Sequence, residues 1–148
     1  MYYRAGMRRL PDGTVFYTLD EAEKTEFETF DIYLHELVLM YFGLRPDEPV
    51  SNDEVQKGVY VLYKELKRRG YKVQDPHYVF ITRKPYSSVI ERVLDNLVWS
   101  GYLDVDENDR LILSGKGKRE VETLIGKKLK GPDPEDLTRL RETSKTLF

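Results

Sequence analysis

Eight side chains able to contact a nucleic acid fall between residues 83 and 118: Arg83, Lys84, Ser87, Ser88, Arg92, Arg110, Lys116 and Lys118. Guanidinium and ammonium groups pair with phosphates, and serines beside the free amides of a helix start can seat a phosphate oxygen. Arg83 and Lys84 come just before a predicted helix over 86–100, Arg92 is on it, Arg110 is in the hairpin that follows at 102–113, and Lys116 and Lys118 come after. Two carboxylates oppose them. Glu91 and Asp95 share the exposed face of the same helix with Arg92 and repel phosphate; such groups accept from cytosine only where neighbouring cations hold the protein close.

No pattern for catalysis emerges elsewhere. His35-Glu36 resembles the start of a zinc-protease motif, but Leu39 stands where the second His is required, and His77 is far along the chain. Gly115-Lys116-Gly117-Lys118 lacks the spacing of a phosphate-binding loop, and there is no Gly-x-Ser-x-Gly elbow. With no Cys, the chain has no thiolate nucleophile, disulfide frame or Cys-based zinc site. Asp104, Asp106 and Asp109 belong to a hairpin and its turn, where Asp serves by bonding to the backbone. The expectation is a non-enzyme with no catalytic residue, metal or cofactor.

Charge narrows the class further. With 24 Lys+Arg against 26 Asp+Glu the net charge is −2, unlike a non-specific duplex binder, which neutralises phosphates with an excess of cations. Only residues 114–131 are locally basic, with Lys116, Lys118, Arg119, Lys127, Lys128 and Lys130 against Glu120 and Glu122. A solvated helix face accounts for that run. The longest apolar run, Leu37 to Phe42, is far short of the roughly 20 residues of a membrane span, so a cytoplasmic protein without membrane contact is expected. Scarce Asn and Gln beside abundant Lys and Glu point to a thermophilic source.

These residues must be positioned by an ordered set of elements. Loose alternation around Pro11-Asp12-Gly13 predicts an N-terminal β-hairpin, followed by an acidic linker from Asp20 to Glu28. Leu34, Leu37, Val38 and Tyr41 mark one face of a first helix stopped by Gly43. Ser51 and Glu54 form a capping box for a second, carrying Val55, Val59, Leu62 and Leu66 and ending at Gly70. Tyr78-Val79-Phe80-Ile81 reads as a strand closed by Pro85. Ser88 and Glu91 suggest a second capping box, with Ile90, Val93, Leu94, Leu97 and Val98 as the buried stripe of the third helix. Leu103-Asp104-Val105 and Leu111-Ile112-Leu113 flank a polar turn, Ser114 caps a fourth helix bearing Val121, Leu124, Ile125 and Leu129, and a polar helix at about 134–146 follows Gly131-Pro132.

Three helices followed by a two-stranded hairpin is the order of a winged helix, here with an extended segment inserted between the second and third helices. The expected class is α+β, a winged helix-turn-helix over 30–130, preceded by a hairpin and linker at 1–29 and followed by a helical tail at 131–148. From Asp53 to Ile125 the chain resembles the YwgA-like and Panacea group (SocA-type antitoxins) of small prokaryotic domains. The resemblance rests on Val55-Gln56-Lys57-Gly58-Val59-Tyr60-Val61-Leu62, Tyr78-Val79-Phe80 and Lys84-Pro85-Tyr86-Ser87. It continues through Leu97-Val98-Trp99-Ser100-Gly101-Tyr102-Leu103 and Leu113-Ser114-Gly115-Lys116-Gly117-Lys118, with Lys84 standing where the group has Gly. It implies an intracellular winged-helix-like module, regulatory or antitoxin-like, without an established catalytic site.

Two functions remain open on the sequence. One is a DNA-binding transcriptional regulator, a homodimer that sets its third helix and wing on double-stranded DNA through the eight residues above. The other is a protein-interaction module on the same scaffold, with Tyr2, Tyr3, Phe16 or Trp99 as anchors, since aromatics are enriched at interfaces. Tyr33, Tyr41, Tyr60 and Tyr63 fall within helical patterns and are expected to pack.

Overall fold

The computed structural model describes residues 8–9, 15–16 and 29–129. The chain divides into two compact units, Met1–Phe30 and Asp31–Phe148. In the first, β1 (Arg8–Arg9) and β2 (Val15–Phe16) pair antiparallel, Arg8 opposite Phe16 and Arg9 opposite Val15. The turn between them, the linker at 20–28 and the helix expected at 134–146 lie outside the described residues.

The second unit is mixed α+β. Its order is α1 (Leu34–Gly43), α2 (Asn52–Arg68), β3 (Val79–Ile81), β4 (Lys84–Tyr86), α3 (Ser88–Trp99), β5 (Leu103–Val105), β6 (Leu111–Leu113) and α4 (Gly115–Lys128). Helix α1 was expected to bury one face. Instead every residue from Glu36 to Phe42 is buried, because α2, α3 and α4 all pack on it. A run as apolar as Leu37 to Phe42, with no polar side, is stable in a helix only when enclosed in this way. Gly43 is not the stop expected of it but the last helical residue; a Cβ there would lie 2.1 Å from Val121 Cγ1, so its role is to let α4 approach.

Helix ends elsewhere follow the sequence closely. Ser51 Oγ accepts from the Glu54 amide at 3.3 Å and Ser114 Oγ from the Gly117 amide at 3.0 Å. The cap of α3 falls one residue earlier than expected: Ser87, not Ser88, accepts from the Ile90 amide at 3.0 Å. At the other ends Gly70 and Gly101 take φ of 95° and 83°. Tyr71 N–H then reaches Leu66 C=O and Tyr102 N–H reaches Leu97 C=O, the six-to-one bonds that close a helix when a residue free of Cβ adopts the left-handed region.

The segment between α2 and α3 is a complete hairpin rather than a strand closed by Pro85. Val79 pairs with Tyr86, Phe80 with Pro85 and Ile81 with Lys84, around a Thr82-Arg83 turn with φ of 50° and 65°. Two consecutive positive φ values give the turn the twist that antiparallel strands require. One polar side chain ties this hairpin and α3 to α2. The buried Gln56 amide accepts from Ser87 N–H and donates to Ser87 C=O, both at 3.0 Å, while Tyr78 OH donates to Gln56 C=O at 3.0 Å. The second hairpin pairs Leu103 with Leu113 and Val105 with Leu111. Val50, between α1 and α2, adds a bridge to Leu111 with both hydrogen bonds at 2.8 Å, so β6 is flanked on both sides.

Candidate functional site

The eight cation and serine positions do not converge. Arg83 sits at the exposed tip of the β3–β4 turn, Lys84 follows it 3.9 Å from Asp53, and Ser88 and Arg92 are exposed on α3. The four others are engaged by neighbouring groups, Ser87 in the interior and Arg110, Lys116 and Lys118 at the surface. Ser87 is fully buried: its amide goes to Gln56, and its hydroxyl accepts from Ile90 N–H and donates to Pro76 C=O. Its amide is therefore not free for a phosphate, contrary to expectation. Arg110 Nε donates to Asp106 at 3.1 Å, Lys118 Nζ pairs with Asp47 at 2.8 Å, and Lys116 Nζ donates to Ser100 C=O at 2.8 Å with the Tyr102 ring centroid 4.3 Å away.

What the fold leaves outward on α3 is Ser88, Arg92, Asp95 and Trp99 along one stripe, with Asn96 exposed at its side. Leu94 and Leu97 are buried beneath it, so 3.6-residue periodicity alone sets which side faces water. Trp99 ends the stripe at 89% exposure. Beside it a cleft of about 200 Å³ runs between α3 and the β5–β6 hairpin. Its apolar lining is Leu94, Val98, Trp99, Val105 and Leu111; its polar lining is Asn52, Glu91, Asp95 and Asp109, with no Lys or Arg. Glu91 accepts from Asn52 Nδ2 at 3.3 Å and from the Tyr86 hydroxyl, and that carboxylate pushes the Tyr86 pKa upward. Asp106 stands at the hairpin turn, held below the usual carboxylate range by the Arg110 and Asn108 amides.

A second surface differs in sign. Along α2, Lys57, Tyr60, Lys64 and Lys67 follow one another at helical spacing. Tyr60 meets the Tyr78 and Phe80 rings edge-on at 5.1 and 5.4 Å, and Lys64 Nζ lies 5.8 Å from the Tyr60 centroid. Val79, Phe80 and Ile81 are 55%, 58% and 56% exposed. Sequence reasoning identified this strand without foreseeing its exposure, since an unbroken apolar run ordinarily marks a buried strand. It likewise passed over Gln56; the only signal was one polar residue next to the apolar stripe of α2.

Tyr41, expected to pack, is fully buried; Arg45 donates to its hydroxyl at 3.2 Å, and burial pushes its pKa up to about 12. Among the described residues no group of His, Asp and Glu is arranged to hold a metal, and no helix is long and apolar enough to cross a membrane. Compared with family models, with curated proteins and with solved structures, the chain matches none.

Proposed function

We propose that the second unit is a winged-helix-type domain that works by binding protein, with α3 and the β5–β6 wing as its contact surface. Three helices followed by a hairpin support that fold reading, as does the Val50–Leu111 bridge, which pairs the wing's second strand on its other edge. The β3–β4 hairpin is then the insertion that the resemblance to the YwgA-like and Panacea group implies, and the antitoxin-like role implied with it agrees with a protein ligand.

The observation that carries the reading is Trp99, 89% exposed beside a cleft whose charged residues are all carboxylates. A duplex is a polyanion and meets such a face with repulsion, whereas an exposed indole is a side chain that anchors protein contacts. DNA binding is the second reading, favoured by the exposed cations Arg83 and Lys84 on the β3–β4 hairpin and Arg92 on α3.

Anisotropy of a labelled, mixed-sequence duplex pool titrated with the protein across roughly 50 to 200 mM salt separates the two. The protein-binding reading expects no complex at the lowest salt. Tight binding with a steep salt slope, flattened by Arg83→Ala, Lys84→Ala and Arg92→Ala together, would establish the regulator instead.

A further inference from the structure

Along the outward stripe of α3, with exposed Asn96 at its side, the spacing reads alike in both directions. Ser88, Arg92, Asp95 and Trp99 are spaced by four, three and four residues, so its centre falls between Val93 and Leu94. Arg92 and Asp95 sit symmetrically about that centre with opposite charges. Both are exposed, and neither is in an ion pair among the described residues.

We propose that the occupant of this face is a second copy of the chain, bound through α3 laid antiparallel on α3 about a two-fold axis at that centre. The inference rests on the protein-binding reading and names its partner. In this register Arg92 faces the partner's Asp95, and the symmetry repeats the pair. Trp99 lies against the first turn of the partner's α3, just beyond which comes the partner's β3–β4 hairpin. A parallel arrangement would oppose Arg92 to Arg92 and Asp95 to Asp95, so charge alone selects the antiparallel one.

The geometry closes on itself. A 12-residue helix is about 18 Å long, and a two-fold contact along it uses the same patch on both subunits, giving a dimer rather than a filament. The energy comes chiefly from Trp99, because a large amphipathic ring removed from water makes a strong anchor, while the exposed ion pairs supply register. Antiparallel helices also set the positive end of one dipole beside the negative end of the other.

Equilibrium sedimentation of the full chain tests this, with fluorescence of its single Trp as a second readout. The native chain is expected to be a dimer whose Trp99 emission shifts to the red on dilution into monomer. Arg92→Asp and Asp95→Arg should each weaken dimerisation by about a hundredfold, because the like charges then meet across the axis. Mixed one to one, the two variants should recover a heterodimer, since an acidic stripe meets a basic one. That recovery also shows both variants to be folded. A native chain that stays monomeric at high concentration overturns the inference, as do variants that dimerise like the native chain or a mixture that stays monomeric. The duplex titration decides the underlying reading separately: a monomer that ignores DNA removes only the second copy as partner, whereas a monomer that binds DNA removes both.

Discussion

Strands β3 (Val79-Phe80-Ile81) and β6 (Leu111-Ile112-Leu113) are apolar runs of equal length, each half of an antiparallel hairpin. All three residues of β3 are more than half exposed, whereas Leu111 and Leu113 are buried in the core with Leu103 across the hairpin. The cause lies outside the strands. Strand β6 lies between β5 and the Val50 bridge and packs on α1 and α4, while β3 is paired on one side only and meets α2 through Tyr60. A short apolar run therefore reports that a strand forms; what it faces is set by which helix and loop arrive on its other edge. One hairpin became part of the core, and the other carries apolar and cationic side chains into solvent, where an exposed edge is ordinarily a liability.

The largest effect that would break this contrast is an equal loss of stability on truncating both strands. Leu113→Ala removes a buried side chain among Leu103, Val121 and their neighbours, and should cost about 3 kcal/mol by urea unfolding. Ile81→Ser should change the midpoint by no more than about 0.5 kcal/mol, as surface substitutions do. If Ile81→Ser were as costly as Leu113→Ala, β3 would be covered in the folded chain.

Two tyrosines sharpen the contrast at alkaline pH, one buried in the core and one half-buried at the foot of the β3–β4 hairpin. Burial raises the pKa of Tyr41 to about 12 and pushes Tyr78 up as well, where its hydroxyl donates to Gln56 C=O. Both are neutral in the native state at pH values where the unfolded chain, titrating near 10, has begun to ionise. The stabilisation is complete below about pH 10 and is lost as pH rises through the folded values; for Tyr41 it amounts to about 3 kcal/mol. Denaturant midpoints measured from pH 9 to 12 should fall in the native chain. The fall should be shallower in Tyr41→Phe and in Tyr78→Phe, and equal flattening would mean that the hairpin's foot is held as firmly as the core. A native midpoint unchanged up to pH 12 contradicts this.

The elements of the second unit were legible where local chemistry decides them. Ser51 and Ser114 cap as read, Gly70 and Gly101 end their helices, and the polar turn after Val105 lies where four turn-formers stand together. Legibility failed where a distant contact decides. Helix α1 shows a face at Leu34, Leu37, Val38 and Tyr41, yet three helices pack on it and every residue from Glu36 to Phe42 is buried. Sequence favours Ser88 as the cap, since Glu91 stands three residues on; the Gln56 amide, 31 residues from Ser87, selects Ser87 instead. The candidate surface divides in the same way. Glu91, Asp95 and Trp99 could be put on one helix by spacing, but that Arg110 turns to Asp106 and Lys118 to Asp47 depends on where loops lie in space.

The smallest expected effect compares the two hairpin turns. At the β5–β6 turn, Asp106 Oδ1 accepts from the Asn108 and Arg110 amides at 2.8 and 2.9 Å, and these bonds to the ionised form hold its pKa below the usual carboxylate range. A depressed folded-state pKa contributes stability that is present above the unfolded value near 4 and lost as pH falls through the folded one. Asp106→Asn should therefore flatten slightly the acid limb of a midpoint-against-pH curve below pH 4. Most of the limb should persist, because Glu65, lowered by its hydrogen bond from Arg68, contributes in the same direction. The β3–β4 turn has no carboxylate to titrate, and its twist comes from the backbone of Thr82 and Arg83. Arg83→Ala should accordingly leave the acid limb unchanged, and a curve that moved as much as with Asp106→Asn would show that the exposed hairpin, too, is held by a side-chain charge.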